Sequence, residues 1–503
     1  MANIRTGGEL ISPASLKRQE EDLSSTNLEQ WRYNKESLMF YCREEELKKL
    51  NKRYDNDAFE CIIIYGRRRV GKTALINEFC KDKPTVYFSA LKATANKNLS
   101  ALSKAIQLFK EPNAISFPHY QNFDDALNEI SRLAKNDRLV FFIDEYPYLA
   151  KAEEAFSSLL QHIIDHVWTK TKLYLILCGS SMSFMEKQVL GDESPLYGRR
   201  TGQFKLEALT YRETAIFNSQ LTPEQNAIVY GITGGIPHYV RKLNVKDDVD
   251  EALIENLFDR SSYLFEEPEN LLKQELREPS QYSDILSAIA EGASKMVEIA
   301  SQCKIDTATC SKYIKTLREL GIVKRERPLA NANSKQTIYS IDDNFFRFWY
   351  RFVPNNTALI ASGRIQRVYD KVIKPYIPDF MGFVFERMCH DYLLYYADNL
   401  PYEILSLGRW WGNHPAEKKE IEIDIVGEIL EDSGEKAYLI GSCKYRNMEI
   451  GRDELDLIRN YGAVFARGKK CRYVIFSKSG FTQGLKECSM SGEVILVTLD
   501  DMM

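Results

Sequence analysis

The stretch CIIIYGRRRVGKTALINEFC, residues 61–80, decides the fold. Cys61–Tyr65 is a short, mostly β-branched apolar run, the signature of a buried strand. Gly66-Arg67-Arg68-Arg69-Val70-Gly71-Lys72-Thr73 then fits GxxxxGK(S/T), and Ala74–Cys80 continues as a helix. Glycines let backbone N–H groups curl around phosphates, and the helix start adds its positive end. In such a loop the backbone from Gly66 to Ala74 cradles ATP. Lys72 meets the β- and γ-phosphates, and Thr73 holds Mg²⁺.

Outward from this loop, two more apolar strands end in polar residues. Leu139–Ile143 runs into Asp144-Glu145, one carboxylate for the metal and one for the attacking water. Leu173–Cys178 runs into Gly179-Ser180-Ser181, where Ser180 is within reach of the γ-phosphate or the water, or else closes a simple turn. Strands separated by helical stretches, with Thr85–Phe88 among them, predict a parallel sheet covered on both faces. Its strand ends then open on one crevice. Arg199 and Arg200, in Tyr197-Gly198-Arg199-Arg200, are candidate cations for transition-state charge, from the same chain or a neighbouring copy.

The bulk composition narrows the class. With 503 residues the chain exceeds one ordinary core, and its 44% apolar and 27% charged content is that of a soluble globular protein. A net charge of −4 gives no global pull toward nucleic acid, so any DNA-binding face must be local. Ten scattered cysteines, without a CxxC pair, suit reduced thiols. No apolar run reaches membrane-spanning length, and the expected location is the cytoplasm, with no membrane partner.

Together, Arg43-Glu44, GRRRVGKT, FFIDE, LCGSS, SPLYGRR and GGIP resemble the archaeal-type ATPase branch of the AAA+ and STAND-related NTPases, over about Phe40 to Leu272. The resemblance implies a RecA-like core with a helical lid, and self-assembly through the ATPase domain. It also implies nucleotide contacts from Arg43 and from a sensing turn at Gly235-Ile236-Pro237. Cys42 stands where many relatives carry glycine.

Further on, Tyr282–Glu291, Met296–Cys303 and Thr307–Leu320 read as three short helices. The strand-like Ile322–Arg327 and Gln336–Ile341 follow them. That order predicts a winged helix. Its third helix would present Thr307, Thr309, Ser311, Lys312, Lys315 and Arg318, with Lys324, Arg325 and Arg327 on the wing. The module serves either DNA contact or the spacing of domains.

In the last quarter, Glu386 lies on an amphipathic helix, Asp424 on the strand Ile421–Val426, and Lys444 after the strand Tyr438–Cys443. This arrangement resembles the PD-(D/E)xK nuclease fold, while the motif FRFWYRFV at 346–353 and the tandem order resemble archaeal-type ATPases that are followed by such a domain. The resemblance implies Mg²⁺ on Asp424, with Glu386 and Lys444 serving catalysis. The second acid of that pattern is here Ser442, a neutral and weak ligand. Weak or absent cleavage is therefore expected. Glu422 is expected to face away from Asp424.

The predicted architecture is α/β. A RecA-like parallel sheet with a helical lid precedes an α+β winged helix and a mixed α/β restriction-endonuclease-like domain. The predicted division is an arm 1–35, an ATPase core 36–210, a lid 211–278, a winged helix 279–343, linker helices 344–378 and a nuclease-like domain 379–503. Two readings of function stay open. One is an ATP-hydrolysing switch that acts on DNA. The other is a regulatory or assembly ATPase without nuclease activity, whose later modules only bind nucleic acid or protein.

Overall fold

The computed structural model describes residues 42–329, 337–398 and 400–503. The N-terminal arm 1–35 and most of the expected wing loop lie outside the described residues.

Five strands, β1 (Glu60–Gly66), β2 (Thr85–Ser89), β3 (Leu139–Asp144), β4 (Leu173–Gly179) and β5 (Gly202–Leu206), form one all-parallel sheet in the order β2-β3-β4-β1-β5. β1 and β4 are buried along their whole length because helices cover both faces, which is why they read as continuous apolar runs. Alternation still sorts their side chains. Ile62, Ile64 and Ile176 face one core, while Ile63, Leu175 and Leu177 face the other. The ends of β1, β3 and β4 therefore deliver Gly66, Asp144 and Gly179 to one edge. The fifth strand, β5, was not singled out in the sequence.

After β5 the chain is helical to Glu319 apart from turns. Three helices, Pro279–Ala290, Met296–Gln302 and Thr307–Glu319, precede an antiparallel ribbon of β6 (Val323–Glu326) and β7 (Ile338–Ile341). Asp306 starts the third helix, because its carboxylate accepts the Ala308 and Thr309 N–H groups that no helical carbonyl can take. The next helix, Asn344–Phe352, buries nearly every aromatic of the FRFWYRFV motif. The stretch 344–378 shares a hydrophobic core with the helices before it and with one face of the C-terminal sheet. Tyr369 reinforces that packing by donating to Asp250 at 2.6 Å.

The C-terminal domain holds a second, mixed sheet in the order β12-β11-β10-β9-β8: β8 (Tyr402–His414), β9 (Lys419–Glu431), β10 (Lys436–Lys444), β11 (Cys471–Ser477) and β12 (Ile495–Thr498). β8, β9 and β10 pair antiparallel, and β10, β11 and β12 pair parallel. The helix Ile377–Tyr395 covers one face and the helix Arg452–Ala466 the other. Overall the chain is α/β. No described helix is long and apolar enough to cross a membrane. All ten cysteines are free.

Candidate functional site

The phosphate loop forms because its neighbours leave it no alternative. A side chain at Gly66 would place Cβ 2.3 Å from the Leu206 carbonyl oxygen of β5, so only glycine allows the strands to close. Arg69 (φ 71°) and Gly71 (φ 95°) adopt left-handed backbone, turning the chain through the loop into the helix Lys72–Cys80. Lys72 Nζ donates to the carbonyls of Gly66 at 2.9 Å and Arg67 at 2.8 Å, lacing the loop from inside. Burial lowers the pKa of this ammonium, as expected for a cation held away from water.

The loop opens on a cavity of about 370 Å³. Arg68, Arg69, Val70, Gly71, Lys72, Thr73 and Ala74 line it, as do Arg43, Asp144, Glu145, Ser180 and Pro237. The tertiary fold thus brings together most of the residues singled out in the sequence. Gly66 and Arg67 do not line the cavity. Gly66 is occupied with Leu206, and Arg67 points to Asp343.

Asp144 and Glu145 end β3, but their settings differ. Asp144 Oδ1 accepts the Glu145 N–H at 3.0 Å, and burial raises its carboxyl pKa, with the neighbouring Glu145 charge adding to the effect. Glu145 adopts left-handed backbone, φ 49°. Strained backbone of this kind persists where the surroundings over-determine it. Here Ser180 supplies that constraint, its Oγ lying 2.8 and 3.0 Å from the two Glu145 carboxylate oxygens. Ser180 was expected either to reach phosphate or water or to close a simple turn; in the structure it lines the cavity and its hydroxyl donates to Glu145.

The Gly235-Ile236-Pro237 turn is fixed against the segment just after β5. Gly235 has φ 67°, a Cβ there would meet the Leu209 carbonyl at 2.0 Å, and the Leu209 N–H donates to the Gly235 carbonyl at 2.9 Å. The turn delivers Pro237, and with it His238 and Arg241, two lining residues missed in the sequence; a third, Phe217, comes from the end of the helix Tyr211–Ile216. Histidine and arginine three apart on a helix that starts at Pro237 share a face, which was the available signal. Burial, followed by Arg69 and other cations, pushes the His238 pKa down to about 4. Its Nε2 is buried without a hydrogen-bond partner. Cys42 adopts φ 61°, a left-handed conformation that glycine takes most readily. Arg43 donates to the Glu207 carbonyl at 2.5 Å.

Arg199 and Arg200 depart from the in-chain alternative. Neither lines the cavity. Arg199 makes a two-pronged ion pair with Asp165 at 2.7 and 2.8 Å, and Arg200 donates to the Leu190 carbonyl at 3.1 Å.

The three loop arginines reach outward instead. Arg67 pairs with Asp343 at the start of the aromatic helix, Arg68 with Glu275, and Arg69 with Glu267. Glu267 and Glu275 are the two ends of one helix, Glu267–Glu275. Arg68 also donates to Tyr148 at 2.8 Å.

A second constellation lies in the C-terminal domain, around a cavity of about 580 Å³ lined by Glu386, Asp424 and Lys444. Asp424 Oδ2 accepts the Cys443 N–H at 2.9 Å and has Lys444 Nζ at 3.8 Å. Burial lifts the Glu386 carboxyl to about 7, against the pull of Arg409. The expectation for Glu422 is corrected: residues two apart on a strand share a face. Glu422 pairs with Arg409, whose Nε lies 3.4 Å from Glu386. The sequence reading also missed Glu454. It accepts from Ser442 Oγ at 2.7 Å and lies 3.3 Å from Lys444 Nζ.

Residues 40–243 match the model of an ATPase domain found predominantly in Archaea. Residues 349–455 match that of archaeal and bacterial proteins of unknown function. An uncharacterized protein of Methanocaldococcus jannaschii is 32% identical over 468 residues, covering 92% of this chain and 100% of the relative. An uncharacterized ATP-binding protein of the same organism is 48% identical over 46 residues, 9% of this chain and 78% of that one. Among solved structures, the Aeropyrum pernix ORC2 protein in its ADPNP-ADP complexes aligns at TM-score 0.41 and 16% identity, over 67% of this chain and 96% of that one.

Proposed function

Because this chain belongs to the same family as the full-length Methanocaldococcus relative, and carries an archaeal-type ATPase domain, we propose that it is an ATP-hydrolysing switch acting on DNA. The observation that carries this reading is the triple tether of the phosphate loop. Arg67, Arg68 and Arg69 each grip an acid on an element that follows the parallel sheet.

Arriving phosphates compete with Glu267 and Glu275 for the guanidinium groups of Arg69 and Arg68, which line the cavity. The helix Glu267–Glu275 is then released or re-seated, and the modules after it move. Lys72 turns from its loop carbonyls to the β- and γ-phosphates, with backbone N–H groups from Val70 to Ala74 beside it. Glu145, oriented by Ser180, polarises the attacking water. The oxygen donors Thr73 and Asp144 share the cavity and would hold Mg²⁺, which would supply positive charge against the phosphates. Arg43 and Pro237 bracket the rest of the nucleotide. Arg199 or Arg200 completes the site of a neighbouring copy in a homo-oligomer.

The division into core, lid, winged helix, linker helices and nuclease-like domain is part of this proposal. Lys312, Lys315 and Arg318 are exposed on the third helix of the 279–343 module, the face a winged helix lays on phosphates. Glu319, one residue on, pairs with Lys187 of the ATPase core at 2.7 Å, tying that helix to the nucleotide domain. The C-terminal domain, with Asp424, Glu386 and Lys444 on one cavity, is the effector. A purely regulatory ATPase is the second reading, favoured by the uncharged Ser442. The switch acts in the cytoplasm.

The test follows phosphate release and DNA integrity together, with Mg²⁺ or Mn²⁺, ATP and several DNA forms. Hydrolysis stimulated by DNA supports the switch. Hydrolysis indifferent to every DNA form overturns it. Nucleotide-dependent cutting decides for the nuclease over the purely regulatory reading.

A further inference from the structure

The sequence pattern leaves the C-terminal site one acid short, because Ser442 occupies the place two residues before Lys444. The fold fills that gap from the opposite direction. Helix Arg452–Ala466 packs on β10, and its first turn brings Glu454 onto the Ser442 hydroxyl at 2.7 Å. The same hydroxyl lies 3.4 Å from Asp424 Oδ2. Lys444 Nζ sits between both carboxylates, 3.3 Å from Glu454 and 3.8 Å from Asp424. Glu454 is itself buried. Ionised carboxylates held close together away from water are stabilised by a cation between them. Here that cation is one lysine shared by two acids.

A further observation comes from the cavity that Asp424 and Lys444 line. Glu386 Oε2 is a buried carboxylate oxygen that receives no hydrogen bond, with Arg409 Nε 3.4 Å away and the Arg347 guanidinium also acting on the carboxylate. An oxygen without a donor has a lone pair to offer.

We propose that Glu454 replaces the missing strand acid, so that Asp424 and Glu454 together take a divalent cation whose other positions are filled by water and a DNA phosphate. This rests on the reading of the C-terminal domain as nuclease-like. Among the described residues no group of three or more His, Cys, Asp or Glu side chains is placed to hold a metal ion by itself. Mg²⁺ does not need one, since it is usually held by one or two carboxylates, its own waters and substrate phosphate. Ser442 then acts as a positioning residue: its hydroxyl orients the Glu454 carboxylate, as hydrogen-bonded partners orient metal ligands elsewhere. Lys444, displaced from between the acids, becomes free to meet the phosphate or the water.

The experiment maps the metal on the full chain. Fe²⁺ is supplied in place of Mg²⁺, with ascorbate and peroxide and with duplex DNA present, so that bound iron cuts the nearby backbone. Cuts near 424, 442–444 and 454, suppressed by excess Mg²⁺, are expected of the parent. Glu454→Gln keeps an oxygen for the Ser442 hydroxyl and loses only the charge, so its fold survives while these cuts fall at least tenfold. Ser442→Glu combined with Glu454→Gln moves the acid back onto the strand and restores them. If Glu454→Gln is cut like the parent while Asp424→Asn is not, the metal sits there without Glu454. The inference then falls and the nuclease-like reading stands. If no form is cut at these places, with or without DNA, both fall.

Discussion

The two acid-bearing sites are built on opposite plans. In the nucleotide site one contiguous loop does most of the work, and Lys72 finds its own partners five and six residues back. In the C-terminal site Glu386, Asp424, Ser442 and Glu454 come from four different elements, so no single stretch of chain builds it. A contiguous site tolerates drift elsewhere, because its geometry is local. A dispersed site draws its groups from across the fold, as the contact of Ser442 on β10 with Glu454 on the helix that packs on it illustrates. The local site has a weakness of its own: its three arginines are committed to acids far away in the chain.

The largest expected effects test the claim that the loop is chemically self-sufficient. Glu145→Gln should leave ATP bound and slow phosphate release by about 10²–10⁴-fold, the usual worth of a general base. Lys72→Ala should instead weaken ATP binding by about a hundredfold, or about 3 kcal/mol, because a buried phosphate is deprived of its charged partner. Calorimetric titration separates the two. Equal ATP affinity and equal turnover in both variants would break the assignment.

The tethers test the other half of the comparison. Asp343 is almost wholly buried against Arg67, and Asp343→Asn leaves that guanidinium without its charge partner. Removing one member of a buried pair costs about 3 kcal/mol. Urea unfolding should show that loss, and ATP binding should change with it. A loss of stability with unaltered nucleotide affinity would mean that the tether is structural alone.

The exposed cations of the third helix in the 279–343 module give a smaller effect. Lys312→Gln, Lys315→Gln and Arg318→Gln together should flatten the salt dependence of DNA binding by about 0.9 for each phosphate no longer neutralised. Filter binding at several salt concentrations measures it. An unchanged slope would return the module to a spacer between the two sites.

The smallest effect concerns His238. Its folded pKa of about 4 lies below the ordinary 6.5, so the unfolded chain binds the proton more readily. The neutral ring contributes stability above pH 6.5. That contribution falls as the pH drops from 6.5 toward about 4 and is gone below it. His238→Gln should flatten the thermal midpoint over that window, and a parent-like slope would exclude His238 as its source.

How much was legible in advance follows the same division. The strand-loop-helix around Lys72 and the acidic pair after β3 were readable because local periodicity and glycine spacing carry them. The helix beginning at Thr307 was readable for the same reason. His238 and Arg241 were missed because their shared helix face, the one local signal, does not say which cavity it fronts. Glu422 was misplaced through an error of strand parity. Arg199 turned out to serve Asp165, a partner thirty-four residues away that no motif announces.

By itself the sequence determined the α/β class, the phosphate loop and the chemistry its residues can perform, because these depend on neighbours within a few positions. Only the tertiary structure decided what the loop arginines hold, which strand edge receives Ser180, and that Glu454 reaches Ser442. Those outcomes rest on how helices pack across sheet faces, a property of the folded whole that no window of residues encodes.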